Sequence, residues 1–247
     1  MKNFCVVVNT HTKLRDVWPM FFGQLNDFLH QIDKRYIFVD ETNHNFGKNF
    51  ETIFYDKNKQ YSEQMIDCFP NVKEEYCLYL QEDYILYDKV DWDSLKKCVE
   101  FMDINRDVDF IKLIRGAEEI EKVSDENSMG LFLNYIKQSD MYYTTQPTIW
   151  RTNKLTDIFK NTPTSHIGDD NQLHFEVLAH KACVDNCIGL VYHNNEPKRG
   201  THHYASNIFP YSASAIVRGK WNISEYAVEL KPLLKKYNID INLRGCV

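Results

Sequence analysis

Two adjacent acids, Glu82 and Asp83, close an apolar run in the stretch "EEYCLYLQEDYILYD". Carboxylates placed where a buried strand stops can hold a hard divalent cation. Such a cation bridges the oxygens of a diphosphate and stabilises it as a leaving group. The same two residues would also serve as the polar part of an ordinary strand-to-helix turn, with Asp83 capping a neighbour. A second set of carboxylates, Asp169, Asp170 and Glu176, lies at and within a segment of helical character. Acids of this kind can take the proton from an attacking hydroxyl. Asp169 with Gln172 three residues later has the pattern of a capping box, which makes Asp169 a helix cap. Asp170 has no evident structural task, and Glu176 has the alternative of facing solvent on an amphipathic helix.

Other residue types suit a sugar or a phosphate. The run Gln146-Pro147-Thr148-Ile149-Trp150, preceded by Tyr142 and Tyr143, combines aromatic faces with amide and hydroxyl groups. A sugar's C–H face packs on such a ring while its hydroxyls take the hydrogen bonds. Equally, Trp150 could be a core residue. In "KRGTHHYASN", Lys198, Arg199, His202 and His203 could neutralise a diphosphate, with Gly200 allowing close backbone approach and His202 a candidate third cation ligand. Lys13 and Arg15, and the pair Arg218 and Lys220, are further candidates for phosphate contact or exposed surface charges.

The elements that must position these residues follow from hydrophobic periodicity. Phe4–Val8 is a β-branched apolar run, a buried strand followed by the polar loop Asn9-Thr10-His11-Thr12. Apolar residues at 17, 18, 21, 22, 25, 28, 29 and 32 predict a helix. Strands are predicted over 35–39, 52–55, 75–80, 110–114 and 189–192, and helices over 61–69, 92–102, 155–159, 169–183 and 224–237. Residues 116–138 are charged without a clear period, which predicts a loop or a mobile helix. Residues 142–150 are predicted extended, with Pro147 demoting part of them to an edge or a turn. No regular pattern emerges over 193–220. Strands alternate with helices through the first 115 residues, so an α/β fold with a mostly parallel sheet flanked by helices is expected. Ligands of such sheets bind beyond the carboxyl ends of the strands. Three of those ends are polar here: Asn9-Thr10, Asp40-Glu41-Thr42 and Gln81-Glu82-Asp83.

Bulk properties exclude several classes. The chain has 247 residues and a hydrophobic fraction of 43%, enough for a sizeable core. Its 29 basic and 35 acidic residues give a net charge of −6, which argues against a partner held by its nucleic-acid backbone. No apolar run reaches membrane-spanning length, and the amino-terminal run reads as a strand rather than a signal peptide. The seven cysteines are scattered, which suggests reduced packing thiols and a cytoplasmic protein. There is no Gly-x-Gly-x-x-Gly, no phosphate loop and no Gly-x-Ser-x-Gly elbow, so dinucleotide oxidoreductases, ATPases and serine hydrolases are disfavoured.

Several segments in order resemble a GT-A type glycosyltransferase. "YLQEDYILYD" looks like the central acidic motif, "FCVVVNT" like the nucleotide-contacting first strand, and "YIFVDET" like the strand that closes around the base. "TTQPTIWRTNKL", followed by "DDNQLHFE", and "IVRGKW" are similar to the acceptor-side and C-terminal segments of a subgroup common in large DNA viruses and some bacteria. A composition rich in Asn, Lys, Tyr and Ile tilts the expected source towards a large virus, and the location to the host cytoplasm. The resemblance implies one Rossmann-like domain over 1–247, with a nucleotide-sugar half over about 1–115 and an acceptor half over about 116–247. It implies transfer of a sugar from a nucleoside-diphosphate-sugar to a glycan or other hydroxyl acceptor. Asn9, Thr10, Arg15, Asp40, Glu82 and Asp83 would bind the nucleotide-sugar, and Gln146, Trp150 and Tyr143 would meet the acceptor or sugar. Glu176, which matches the family's acidic position, or Asp170 would be the base. A discrete base leans the expectation towards inversion. Mn²⁺ or Mg²⁺ is expected at Asp83, with His202. Gln81 departs from the family pattern, standing where the first acid of an Asp-x-Asp triplet is usual, so a metal-independent enzyme that holds the diphosphate with basic side chains is the alternative. A sugar nucleotidyltransferase and a non-catalytic carbohydrate-binding or assembly protein are the alternatives. The first would carry a Gly-rich basic loop after its first strand, and "NTHTKLRD" has no glycine.

Overall fold

The computed structural model describes residues 3–41, 43–47, 49–138, 142–162, 171–200 and 202–247, with the backbone alone over 171–174. In chain order the elements are β1 (Phe4–Asn9), α1 (Trp18–Phe28), β2 (Arg35–Val39), β3 (Phe50–Phe54), α2 (Tyr61–Cys68), β4 (Tyr76–Gln81), β5 (Ile85–Leu86), α3 (Trp92–Ile104) and β6 (Val108–Lys112). Then come β7 (Glu119–Lys122), β8 (Leu133–Gln138), β9 (Thr148–Arg151), α4 (Thr152–Asn161), α5 (Asn171–Asn186) and β10 (Ile188–Tyr192). The last part holds the two-residue strands β11 (Lys198–Arg199), β12 (His203–Tyr204), β13 (Tyr211–Ser212), β14 (Ile216–Val217) and β15 (Lys220–Trp221), and helix α6 (Ile223–Lys236).

A nine-stranded sheet in the order β3-β2-β1-β4-β9-β6-β10-β8-β7 forms the centre. All its strands run in one direction except β8 and β9, which are antiparallel to their neighbours. β1, β2, β4 and β6 are buried along their whole length, which is why β1, β2 and β4 are near-continuous apolar runs rather than alternating ones, while β6 also buries Asp109 and Lys112. One face of the sheet packs on α1, α3 and α6 and the other on α2, α4 and α5, each with its own apolar cluster. The start of α3 is fixed by Asp91, whose carboxylate accepts from the amides of Asp93 and Ser94 at 3.2 and 3.1 Å.

Three expectations change. Residues 116–138 contain no helix; they hold β7 and β8, an antiparallel pair at the sheet's edge. β7 is mostly exposed and charged, and β8 buries Leu133 on one sheet face and Ile136 on the other with exposed Tyr135 and Lys137 between and after them, so no simple apolar period stands out. The extended segment over 142–150 is not at an edge. Its strand, β9, is inserted antiparallel between β4 and β6. Pro147 precedes that strand, so its missing N–H costs no ladder bond, while its carbonyl accepts from the Leu113 amide at 3.1 Å. Residues 193–220 form short antiparallel ladders, β11 with β12, β13 with β5, and β14 with β15, too brief for periodicity to reveal. All seven cysteines are free, and six are buried. Among the described residues no helix is long and apolar enough to cross a membrane.

Candidate functional site

Parallel pairing brings the polar strand ends together. In register, Asn9 at the end of β1 stands beside Gln81 of β4 on one side and Phe38 of β2 on the other. A cavity of about 400 Å³ opens at this edge, within the range of small-ligand sites. Its walls are Asn9, Thr10, His11, Lys13 and Leu14 at and after the end of β1, Gln81, Glu82 and Asp83 at and after the end of β4, and Ile216, Gly219 and Arg244 from far along the chain. Ile216 and Gly219 belong to the β14–β15 hairpin. Its two turn residues, Arg218 and Gly219, have φ of 50° and 77°, the paired left-handed conformation that a two-residue hairpin needs.

The two acids differ in their surroundings. Glu82 is buried, and the Thr10 hydroxyl and His11 amide donate to its carboxylate. Burial first, and the neighbouring Asp83 second, push its pKa up to about 8. Asp83 is half-buried; burial first, then the charge of Glu176, raise it to about 7. Asp83 Oδ1 and Asn9 Oδ1 are both buried with no hydrogen-bond partner among the described residues. Unsatisfied acceptors at a cavity wall call for a donor or a cation. Thr10 is a hub of the scaffold: its Oγ1 accepts from Trp18 Nε1 at 2.8 Å and its carbonyl from the Tyr55 hydroxyl at 2.9 Å. Asp40 does not line this cavity. It accepts from the Thr12 amide at 2.9 Å and the Thr12 hydroxyl at 2.8 Å, so it shapes the turn after β1. Burial opposes ionisation of Asp40, but the Thr12 bonds outweigh it and hold the carboxyl below its ordinary value.

Gln81 is drawn inward. It is 6% exposed, and its Nε2 donates to the Tyr61 hydroxyl at 3.3 Å, which itself lies 2.7 Å from the Tyr79 hydroxyl. A carboxylate in this position would be buried against two phenols in the apolar face under α2, where an ion is costly. The amide is therefore the better-suited residue here, and of the two positions it is Asp83 that could meet a cation. Magnesium-type sites commonly use one or two carboxylates and complete their shell with substrate phosphates and water. The unpartnered Asp83 oxygen fits that pattern. Among the described residues no three His, Cys, Asp or Glu side chains are grouped to hold a metal by themselves. His202, expected as a third ligand, is exposed in the turn between β11 and β12 and belongs to no such group.

Positive charge reaches the cavity from Lys13 and Arg244. Arg244 Nε donates to Asp16 at 2.7 Å, Nη2 donates to Asp16 and, at 3.0 Å, to the Lys13 carbonyl, and Nη1 donates to the Gly219 carbonyl at 3.3 Å. It thus ties the turn after β1 to the β14–β15 hairpin across the cavity mouth. Arg15, expected at the diphosphate, is exposed and lines a separate groove with Glu41, Asn43 and His44. Arg199 is occupied elsewhere, paired with Glu229 at 2.7 Å and lying 4.7 Å from the Tyr226 ring centroid. Lys198, Arg218 and Lys220 are exposed.

Glu176 on α5 is half-buried and held from the loop before β9: its Oε1 accepts from the Thr145 amide at 2.6 Å and the Thr145 hydroxyl at 2.5 Å. Burial raises its pKa against the pull of those bonds and of Lys112. Asp83 and Glu176, 93 residues apart in sequence, lie within electrostatic reach of each other. Asp169 and Asp170, and with them the capping box to Gln172, fall outside the described residues and side chains. The aromatic platform is a correction. Trp150 is 1% exposed, with its ring centroid 4.4 Å from that of Phe110, and Tyr143 is fully buried. Gln146 is 2% exposed, and its Nε2 donates to the Ile114 carbonyl at 3.3 Å. Insertion of β9 at the centre of the sheet puts these side chains in the core, where no sugar can stack. Arg244, Thr145 and Lys112 were missed from sequence: each acts on a partner distant in the chain, and none sits in a recognisable motif.

No protein-family model matches the sequence, and no curated protein is significantly similar to it. Among solved structures, Staphylococcus aureus TarS 1–349 superposes with a TM-score of 0.50 at 15% identity, over 83% of this chain and 60% of that one. The complex of TarS 1–349 with UDP gives 0.50 at 14% identity, with the same coverage. A 4-diphosphocytidyl-2C-methyl-D-erythritolsynthase from Anaerococcus prevotii lies further off, with a TM-score of 0.44 at 10% identity over 81% of this chain and 91% of that one. The chain thus spans about 60% of the TarS fragment it matches. The likeness is one of fold: a mixed α/β, GT-A-like architecture around a large, mostly parallel sheet.

Proposed function

We propose that the chain is a glycosyltransferase that moves a sugar from a nucleoside-diphosphate-sugar to a hydroxyl acceptor. One observation carries this: the cavity where β1 and β4 end holds an unpartnered carboxylate oxygen of Asp83, has Lys13 and Arg244 on its walls, and lies within electrostatic reach of Glu176. In this reading Asn9 meets the nucleoside, while Lys13 and Arg244 offset the diphosphate charge. Asp83 would hold a divalent cation, which would supply further charge neutralisation on the diphosphate. Glu176, oriented by Thr145, takes the acceptor's proton while the acceptor oxygen bonds to the sugar's anomeric carbon. The bond from that carbon to the diphosphate breaks, and the nucleoside diphosphate leaves. A base separate from the diphosphate-binding acid suits inversion. The raised pKa of Glu176 suits a group that must accept a proton near neutral pH. The UDP complex of the TarS fragment makes uridine diphosphate the first nucleotide to try.

The test is a thermal-shift screen of nucleoside diphosphates with and without Mn²⁺ or Mg²⁺, followed by an assay of donor-sugar hydrolysis. A rise in Tm with one diphosphate, with slow release of that nucleotide from its sugar conjugate, is the expected result. Asp83→Asn should abolish any cation-dependent part of the rise. Absence of a response to every diphosphate would overturn the transferase reading; a response to triphosphates alone would favour nucleotidyl transfer.

A further inference from the structure

The candidate cavity has two cations on its walls, Lys13 and Arg244, and one of them is already matched inside the protein. Arg244 meets Asp16 side-on: Nε donates to Oδ2 at 2.7 Å, and Nη2 donates to Oδ1. Such a two-bond fork is the strong form of a guanidinium–carboxylate contact. The other bonds go to the backbone, from Nη2 to the Lys13 carbonyl at 3.0 Å and from Nη1 to the Gly219 carbonyl at 3.3 Å. A guanidinium has five N–H groups, so these four bonds leave one, on Nη1. The two kinds of partner do different work. The carbonyls, one in the turn after β1 and one in the β14–β15 hairpin, fix where Arg244 stands and leave its charge intact. Asp16 cancels that charge. It does not line the cavity; it lines the neighbouring groove, and Lys13 lines both. Arg244 therefore stands between a carboxylate on the groove side and an anion entering the cavity. The side chains are 13% exposed for Arg244 and 28% for Asp16, so water moderates the pair without abolishing its field.

We propose that Asp16 is a positioning residue that sets the cavity's affinity for a diphosphate through Arg244. By holding the guanidinium's charge in check, it makes the anion bind less tightly and leave more readily than two unmatched cations would allow. The proposal rests on the reading of the cavity as a diphosphate site, and not on sugar transfer itself. Asp16 and the diphosphate are alternative counter-ions of one guanidinium. When the anion departs, Asp16 remains to neutralise Arg244, so release does not leave a bare cation at the cavity mouth. A merely structural Asp16 has the opposite consequence: without the fork Arg244 would loosen, the wall with it, and every ligand of the cavity would bind more weakly.

The sign of one change in affinity separates the two roles. Calorimetry at low ionic strength measures binding of inorganic pyrophosphate, of nucleoside diphosphates and of the corresponding nucleosides. Asp16→Asn removes the charge and should tighten diphosphate binding by about three- to tenfold, with nucleoside binding unchanged. Asp16→Glu keeps the charge and should return the affinity towards that of the parent. In an Arg244→Met background, where no guanidinium is left to release, the gain from Asp16→Asn should shrink. A melting curve establishes that each variant is folded, and Asp16→Ala decides if Asp16→Asn does not fold. Unchanged or weaker diphosphate binding in the folded variant overturns the proposal. So does a gain that extends to the nucleoside, or one undiminished in the Arg244→Met background. Absence of pyrophosphate and diphosphate binding in parent and variants alike overturns it together with the diphosphate site. Tighter diphosphate binding by a protein that transfers no sugar would fail the transferase reading and leave this one standing. Where turnover is found, Asp16→Asn should be inhibited more strongly by its nucleoside diphosphate product.

Discussion

At Glu82 the carboxylate receives the Thr10 hydroxyl and the His11 amide, whereas at Asp83 one buried oxygen receives no hydrogen bond from the described residues. Neighbours in sequence therefore divide the work: Glu82 ties the end of β4 to the end of β1, and Asp83 is the one the proposed function assigns to a ligand. Glu176 has the complementary environment, a half-buried carboxylate oriented by two bonds from one residue. Glu176→Gln keeps the shape and removes the basicity. Transfer should fall by about 10²- to 10⁴-fold, with nucleotide affinity unchanged, as measured by initial rates beside calorimetric titration. Trp150 belongs to the opposite category. Trp150→Ala should cost about 3–5 kcal/mol in chemical denaturation and leave nucleotide affinity in the surviving folded protein intact. A selective loss of affinity would mean that the ring reaches a ligand after all.

Between elements, the cavity depends on a clasp spanning most of the chain. Arg244 binds Asp16 and the Lys13 carbonyl on one side and the Gly219 carbonyl on the other. The same terminal segment pairs with the hairpin through the Val247 amide to the Trp221 carbonyl at 2.9 Å and the Trp221 amide to the Gly245 carbonyl at 3.0 Å. The hairpin and the turn after β1 thus share one guanidinium, whose charge, in the proposed reading, offsets a diphosphate. Arg244→Met should weaken binding of the cognate nucleoside diphosphate by about 1.5–3 kcal/mol, the usual worth of a hydrogen bond to a charged group, in calorimetry. The corresponding nucleoside should bind as before. Equal losses for both ligands would mean that Arg244 only supports the wall.

For the whole molecule, the acids after β4 make stability depend on pH. Both have folded-state pKa values, about 8 for Glu82 and about 7 for Asp83, above the ordinary carboxyl range near 4. The folded state binds more protons than the unfolded one between those limits, so the contribution of these groups falls as pH rises from about 4 to 8. Asp83→Asn removes one such group. Its Tm, compared with the parent protein without added metal, should gain steadily from pH 5 to about pH 7 and level off above that, and Mn²⁺ should stabilise only the parent. A difference in Tm that is flat with pH would mean that Asp83 ionises normally.

Local sequence determined the elements whose own side chains satisfy them. The apolar runs at 4–8, 35–39 and 75–80 needed only burial to become strands, and their polar ends had to share one edge once the strands ran parallel. The acid pair was legible for the same reason, since carboxylates interrupt a hydrophobic run only where it leaves the core. What local sequence does not encode is which distant segment fills a gap. Insertion of β9 between β4 and β6 sent Trp150 into the core and brought Thr145 to Glu176. Packing under α2 turned Gln81 inward, and a partner 228 positions away brought Arg244 to the cavity. Those outcomes depend on long-range contacts between segments whose local patterns are indifferent to them, so only the tertiary structure decided which polar groups became the site.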